Sequence, residues 1–178
     1  MASGDALLEQ FRDAAPYLRM TDLEKLKLQS ESKMSDGKKF AWVTKTDVAY
    51  TKAQLKKIEG GKAILERICD GKEIKMSEED FQEAMCNPTK FDKIEDMANM
   101  TYLNEAGVLY NLRQRYETFM IYTYSGLFCV TVNPYKMLPV YTDYVINAYR
   151  GKRRSEMPPH LYSIADNAYH DMMRNRDN

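Results

Sequence analysis

The sequence is poor in the groups from which most small catalytic or metal-bound domains are made. It has three cysteines, Cys69, Cys86 and Cys129, too few and too scattered for a disulfide framework or a closed zinc site. Its only histidines, His160 and His170, lie ten residues apart, too far to share one helical face as ligands. Lys and Arg balance Asp and Glu at 26 each, which argues against a general nucleic-acid binder; such a protein carries a basic excess to displace counterions. No run of about 18 apolar residues is present, so no transmembrane helix is expected. Met1–Gln10 contains Asp5 and Glu9 and no basic residue, unlike a secretory signal. There is no Gly-rich phosphate loop, no Ser–His or Cys–His arrangement, and no pair of carboxylates with a reason to be buried together. The residues read as a reduced, cytosolic, metal-free chain without nucleic-acid or membrane partners.

What the chain does have is size, apolar content and tyrosine. Its 178 residues are 44% hydrophobic and include 13 tyrosines, most expected to be half-buried with the hydroxyl near the surface. Charge is balanced only globally. Glu78–Glu105 holds eight acidic and two basic residues, and Ala106–Arg154 holds seven basic and two acidic; blocks of opposite sign can dock on each other or face other elements, and the plainer reading is solvated faces.

Local patterns divide the chain into a helical N-terminal extension (1–33), a small β-barrel (34–81) and a more apolar remainder (82–178). Thr21-Asp22-Leu23-Glu24 has capping-box spacing, and Pro16 should separate that helix from a shorter one near Leu7, Leu8 and Phe11. Ser30–Lys39 reads as a linker. Short Val-, Ile- and Leu-rich stretches follow, punctuated by Gly60-Gly61 and Asp70-Gly71, the second expected to close a hairpin between Ala63–Ile68 and Ile74–Met76 with both turn residues at positive φ. Tyr50–Ile58 fits a strand, although Leu55 and Ile58 would also share a helical face. Asn104 should cap a helix to about Phe119 whose inner stripe is Val108, Leu109, Leu112, Tyr116 and Phe119. Ile121–Tyr124 and Leu127–Val132 should form a hairpin about Ser125-Gly126. Thr142 should cap a short helix ended by Gly151, and Pro158-Pro159 should start a final helix with Leu161, Ile164, Ala165, Ala168 and Met172 on one stripe. The fold class is therefore α+β.

One segment stands out chemically. Asn133-Pro134-Tyr135-Lys136-Met137-Leu138-Pro139-Val140-Tyr141 leaves a strand, is stiffened by two prolines, and offers an amide, a cation and two phenols. A rigid loop with an aromatic wall and hydrogen-bonding tips suits a planar base; an ordinary stiff connector would look much the same.

Several blocks resemble the start of a muscle-type (class II, conventional) myosin heavy-chain motor domain. They are Phe91-Asp92-Lys93-Ile94-Glu95-Asp96-Met97, Leu103-Asn104-Glu105, Val108–Leu112, Ile121–Tyr141, Tyr149–Arg154, Pro158-Pro159-His160 and Ser163–Tyr169; Ala14–Arg19 resembles the N-terminal extension of sarcomeric members. The resemblance implies a small antiparallel Src-homology-3-like barrel followed by the first helices and strands of the motor. It implies that the Asn133–Tyr141 loop binds the purine, with Asn133, Pro134, Tyr135 and Tyr141 around adenine, Lys136 beside them, and the Tyr141 hydroxyl at the exocyclic amine. The lysine matching Lys136 can be methylated in skeletal members. The implied cofactor is ATP, with Mg2+ held in the complete head by ligands outside this sequence. The phosphate loop, both switch segments, the actin-binding cleft and the light-chain lever would follow Asn178, so this segment would supply no catalytic group, and actin and light chains would be met only through those regions. The remainder of the heavy chain would be the immediate partner and the muscle thick filament the location. A non-enzymatic adaptor whose barrel binds proline-rich peptides through Trp42 and Tyr50 is the alternative, with a stand-alone nucleotide-binding regulator behind it.

Overall fold

In the computed structural model of the chain, residues 9–35, 37–45 and 47–175 are described. The helices are α1 (Ala15–Leu18), α2 (Asp22–Met34), α3 (Glu78–Glu83), α4 (Glu105–Tyr116), α5 (Asp143–Tyr149) and α6 (Leu161–Asn175), joined in places by single 3-10 turns. The strands are β1 (Phe40–Lys45), β2 (Ala49–Glu59), β3 (Lys62–Arg67), β4 (Glu73–Ser77), β5 (Tyr122–Ser125) and β6 (Phe128–Thr131). Two compact units result. One takes in Leu28–Asp92 and Met100–Asn111; the other takes in the described residues up to Lys27, Lys93–Asn99, and those from Leu112 onward.

The first unit is built on a four-stranded antiparallel meander in the order β1-β2-β3-β4. Its register slips between Leu55 and Lys57, a bulge that increases local twist and curls the sheet into a half-barrel. Tyr50–Ile58 is thus strand throughout. The β2–β3 turn is Gly60-Gly61 with both φ positive (58° and 73°), the geometry expected instead at Asp70-Gly71. There only Gly71 is left-handed, because Asp70 spends its carboxylate on the Arg67 guanidinium and the Lys72 amide. Ala41, Val43, Ala53, Ala63 and Leu65 line the inner face, closed by Phe81 of α3 and by Met85. The edge of β1 is covered: Trp42 donates its amide to Ala84 O and Cys86 donates to Phe40 O, at 2.8 and 2.9 Å. That pairing removes an edge open to aggregation.

Helix starts follow local chemistry closely. Thr21 and Glu24 form the expected reciprocal box, Glu24 Oε2 accepting the Thr21 amide at 2.9 Å and Thr21 Oγ1 accepting the Glu24 amide at 3.2 Å. Asn104 caps α4 through the Gly107 amide at 2.9 Å. Three expectations are corrected. Pro16 lies in the first turn of α1, where its missing N–H costs nothing, and the break comes at extended Arg19. Ser30–Met34 continues α2 instead of forming a linker. Thr142 sits at the N-cap of α5, but its hydroxyl makes no capping bond and turns back to Pro139 O. Leu7 and Leu8 lie outside the described residues.

In the second unit a core of Phe11, Leu18, Ile121, Val140, Val145 and Tyr149 packs beside the β5–β6 hairpin. The hairpin turn is Gly126-Leu127, one residue later than expected, because Ser125 still pairs with Phe128. Alone, a two-stranded ribbon is marginal. This one is supported on its other edge, where Tyr124 donates its amide to Glu95 O at 2.8 Å, and from beneath by Arg115. Arg115 is 1% exposed and donates through Nε to Thr123 Oγ1 (2.9 Å), Nη1 to Lys93 O (2.8 Å) and Nη2 to Tyr122 O (2.8 Å). Arg115→Met keeps the stem but leaves three acceptors unpaired, two of them buried and the Lys93 carbonyl half-buried. At about 1–3 kcal/mol per orphaned group, with partial relief from water, the expected loss is ~3–5 kcal/mol of this unit's stability in urea unfolding. A loss below ~1 kcal/mol would mean the guanidinium is replaceable there.

Candidate functional site

The Asn133–Tyr141 loop of the second unit is held at its start and near its end. Asn133 Oδ1 accepts the Tyr135 amide at 2.9 Å, a side-chain turn that fixes the exit from β6. Tyr135 then sits at φ 51°, left-handed backbone that a bulky residue seldom adopts, with its ring 89% exposed. Lys136 folds back so that Nζ lies 3.6 Å from the centroid of the Phe119 ring. Met137 is solvent-facing, whereas Leu138 and Val140 are buried anchors on either side of Pro139. Pro139–Tyr141 forms a 3-10 turn, which delivers Tyr141 45% exposed at the rim of an aromatic cluster.

That cluster was not legible as a site in the sequence. The Tyr141 hydroxyl lies 2.7 Å from the Tyr122 hydroxyl, and Tyr162 donates its hydroxyl to Tyr141 O at 3.3 Å. Burial first, then the bond to Tyr141, pushes the Tyr122 phenol well above its ordinary value, so Tyr122 stays protonated. His160 fills the centre, its ring centroid 4.6 Å from Tyr122, 5.1 Å from Tyr149, 4.5 Å from Tyr162 and 5.8 Å from Tyr141. The one signal for His160 was its place directly after Pro158-Pro159, the residue before a helix. The sequence-derived candidates thus fall into two groups on one loop: Asn133 and Tyr135 brace its start, with Lys136 turned onto Phe119, while Tyr141 belongs to the tyrosine cluster.

In the first unit, Trp42 and Tyr50, the residues expected to line a peptide groove, are differently placed. Trp42 is only 7% exposed and packs at 5.0 Å on Tyr110. Lys52 Nζ covers both rings, at 5.4 Å from Trp42 and 4.2 Å from Tyr110, and Tyr50 packs against the same buried group. Lys52 therefore occupies the aromatic face that a proline ring would need. The Cys86 thiol nearby is pushed by burial to about 12 and is inert as a nucleophile.

Two family models match the chain. Residues 27–84 match the myosin N-terminal SH3-like domain, in register with the curled sheet and α3, and residues 94–178 match the myosin head (motor domain). The chain belongs to the myosin family. The curled meander is its myosin SH3-like domain, and the stretch that carries the Asn133–Tyr141 loop is part of a myosin motor, with the rest of the heavy chain as its partner. Among the described residues no helix is long and apolar enough to cross a membrane, and no group of three or more His, Cys, Asp or Glu could hold a metal ion.

Strain at Tyr135 separates stability from function. Its ring gains little by packing, yet its backbone costs about 1 kcal/mol relative to glycine. Tyr135→Gly is expected to leave stability unchanged or raise it by up to ~1 kcal/mol in urea unfolding. A marked loss would show that the ring is needed for folding.

Proposed function

We propose that this myosin segment supplies the base-side wall of a nucleotide pocket in a sarcomeric-type, ATP-driven actin motor of the muscle thick filament. The observation that carries the reading is a loop anchored by buried Leu138 and Val140 that still presents Tyr135 and Tyr141 to solvent. Adenine suits such a place: an aromatic side chain offers stacking area, and Tyr141 and Asn133 offer edge hydrogen bonds. A phenol has one donor and two acceptor sites, so the Tyr122 contact leaves Tyr141 capacity for a base edge. Asn133 acts mainly by bracing Tyr135. In this reading phosphate contacts, Mg2+ ligands and actin contacts come from elsewhere in the heavy chain.

The test is base discrimination in a motor head carrying this segment. Tyr141→Phe removes one edge hydrogen bond, worth about 0.5–1.5 kcal/mol, and should weaken ATP binding roughly threefold to tenfold. The maximal rate of the hydrolysis step should hold, because the lost contact is remote from the phosphates. Asn133→Ala should cost a similar factor by loosening the turn at Tyr135. If transient kinetics show an unchanged preference for ATP over GTP in both variants, the loop is a stiff connector and no more.

A further inference from the structure

His160 has an arrangement that only its neutral form can keep. It is the residue immediately before α6, and its Nδ1 accepts the amide of Tyr162, the second residue of that helix, at 3.1 Å. This is an N-cap made by an imidazole: a side-chain acceptor satisfies one of the free donors at the helix start. The accepting Nδ1 requires the ring proton on Nε2. Nε2 closes no hydrogen bond, the ring is fully buried, and the nearby Val140 backbone favours the protonated ring without outweighing that burial. The same ring packs on Tyr141 and Tyr122, whose hydroxyls meet.

Protonation would break this set in two ways. A second ring proton on Nδ1 would face the Tyr162 N–H, donor against donor, and the cap would be lost. The new cation would also sit at the positive pole of a 15-residue helix. Among the described residues no counter-charge offsets it. The titratable groups packed on the ring are the phenols of Tyr122 (β5), Tyr141 (the 3-10 turn), Tyr149 (α5) and Tyr162 (α6), with the Tyr124 hydroxyl against the His160 backbone; burial raises Tyr122, Tyr149 and Tyr162 above their ordinary values, so they supply no anion.

We propose that His160 is a proton-operated positioning residue: neutral, it caps α6 and holds the Pro139–Tyr141 turn; protonated, it releases both. Burial depresses its pKa to about 4, against about 6.5 when unfolded, so the unfolded or opened chain takes up the proton first. The hold is complete above about pH 6.5 and is lost as pH falls toward 4. Its consequence for nucleotide affinity rests on the base-binding reading above.

The test is a pH titration of the full chain by NMR, where only two histidine ring signals occur. The Tyr162 amide and the Val140 and Tyr141 resonances should shift with the His160 midpoint, and Tyr162 exchange, corrected for its intrinsic pH dependence, should accelerate roughly tenfold or more between pH 7 and 4.5. His160→Asn offers an amide oxygen as a cap that does not titrate; it should keep the fold at pH 7 and abolish the shared midpoint. His160→Phe keeps a ring without the acceptor and should show fast Tyr162 exchange at every pH. If acid unfolds the whole unit first, the unfolding midpoint should move to lower pH in His160→Asn. Turn resonances that ignore the His160 titration, or an acid response unaltered in His160→Asn, would overturn the proposal. A turn that responds while ATP affinity of the motor head stays flat between pH 7 and 5 would leave His160 its role and count against the base-binding reading.

Discussion

The buried guanidinium of Arg115 is the contact on which the rest of the motor-derived unit depends. A cation taken out of water costs several kcal/mol unless its N–H groups are satisfied, and three acceptors meet it here from Lys93, Tyr122 and Thr123. Burial lowers its pKa to about 10, so it stays charged at neutral pH. Glu95 provides the favourable field, while Arg19, which grips Glu95 through Nε and Nη2 at 2.8 and 3.0 Å, opposes it. One carboxylate therefore answers two cations, and the N-terminal segment, the Lys93–Asn99 stretch and the end of α4 are tied by one network. Without it the β5–β6 ribbon would have little to stand on.

That network reaches the candidate site by a short path. Arg115 fixes the carbonyl of Tyr122, and the hydroxyl at the far end of Tyr122 holds the hydroxyl of Tyr141. Backbone placement on a buried charge and side-chain placement on a buried ring thus converge on one exposed phenol. Tyr135 is treated differently: its conformation is imposed by Asn133, its backbone is strained and its ring is free. Arg12, Lys93 and Phe119 of this unit share that left-handed backbone, but Tyr135 is the one whose aromatic ring is left almost wholly exposed.

The legible parts of the sequence were those decided by neighbours a few residues apart. The Thr21–Glu24 box, the Asn104 cap, the consecutive strands and the loop stiffened by Pro134 and Pro139 depend on local spacing and appear where expected. The face of α4 does not. The periodic apolar stripe pointed inward through Val108, Leu109 and Leu112, yet Leu109 is exposed and the fully buried positions are Ala106, Gly107, Asn111 and Arg115. A count of apolar residues scores Arg115 as surface, whereas a helix buries it readily once distant carbonyls and a hydroxyl are waiting. Those partners are set by tertiary structure and leave no periodic trace. His160 was hidden for the same reason: its acceptor role is local, but the four tyrosines that enclose it come from four separate elements.

The last helix shows what such concealment implies for dynamics. Of the expected inner stripe of α6, Leu161, Ile164 and Met172 are all exposed, and Ser163 is the fully buried residue. Within this segment, therefore, apolar packing contributes little along the length of the helix. What fixes it is concentrated in the first two turns: the His160 cap, Tyr162 on the tyrosine cluster, and Asp166 Oδ2 accepting the Gly151 amide at 3.0 Å. A helix whose contacts are concentrated at one end transmits a change made at that end. The ring that caps it also packs against Tyr141, so α6 and the candidate loop share one support, and neither can be loosened at that point without disturbing the other.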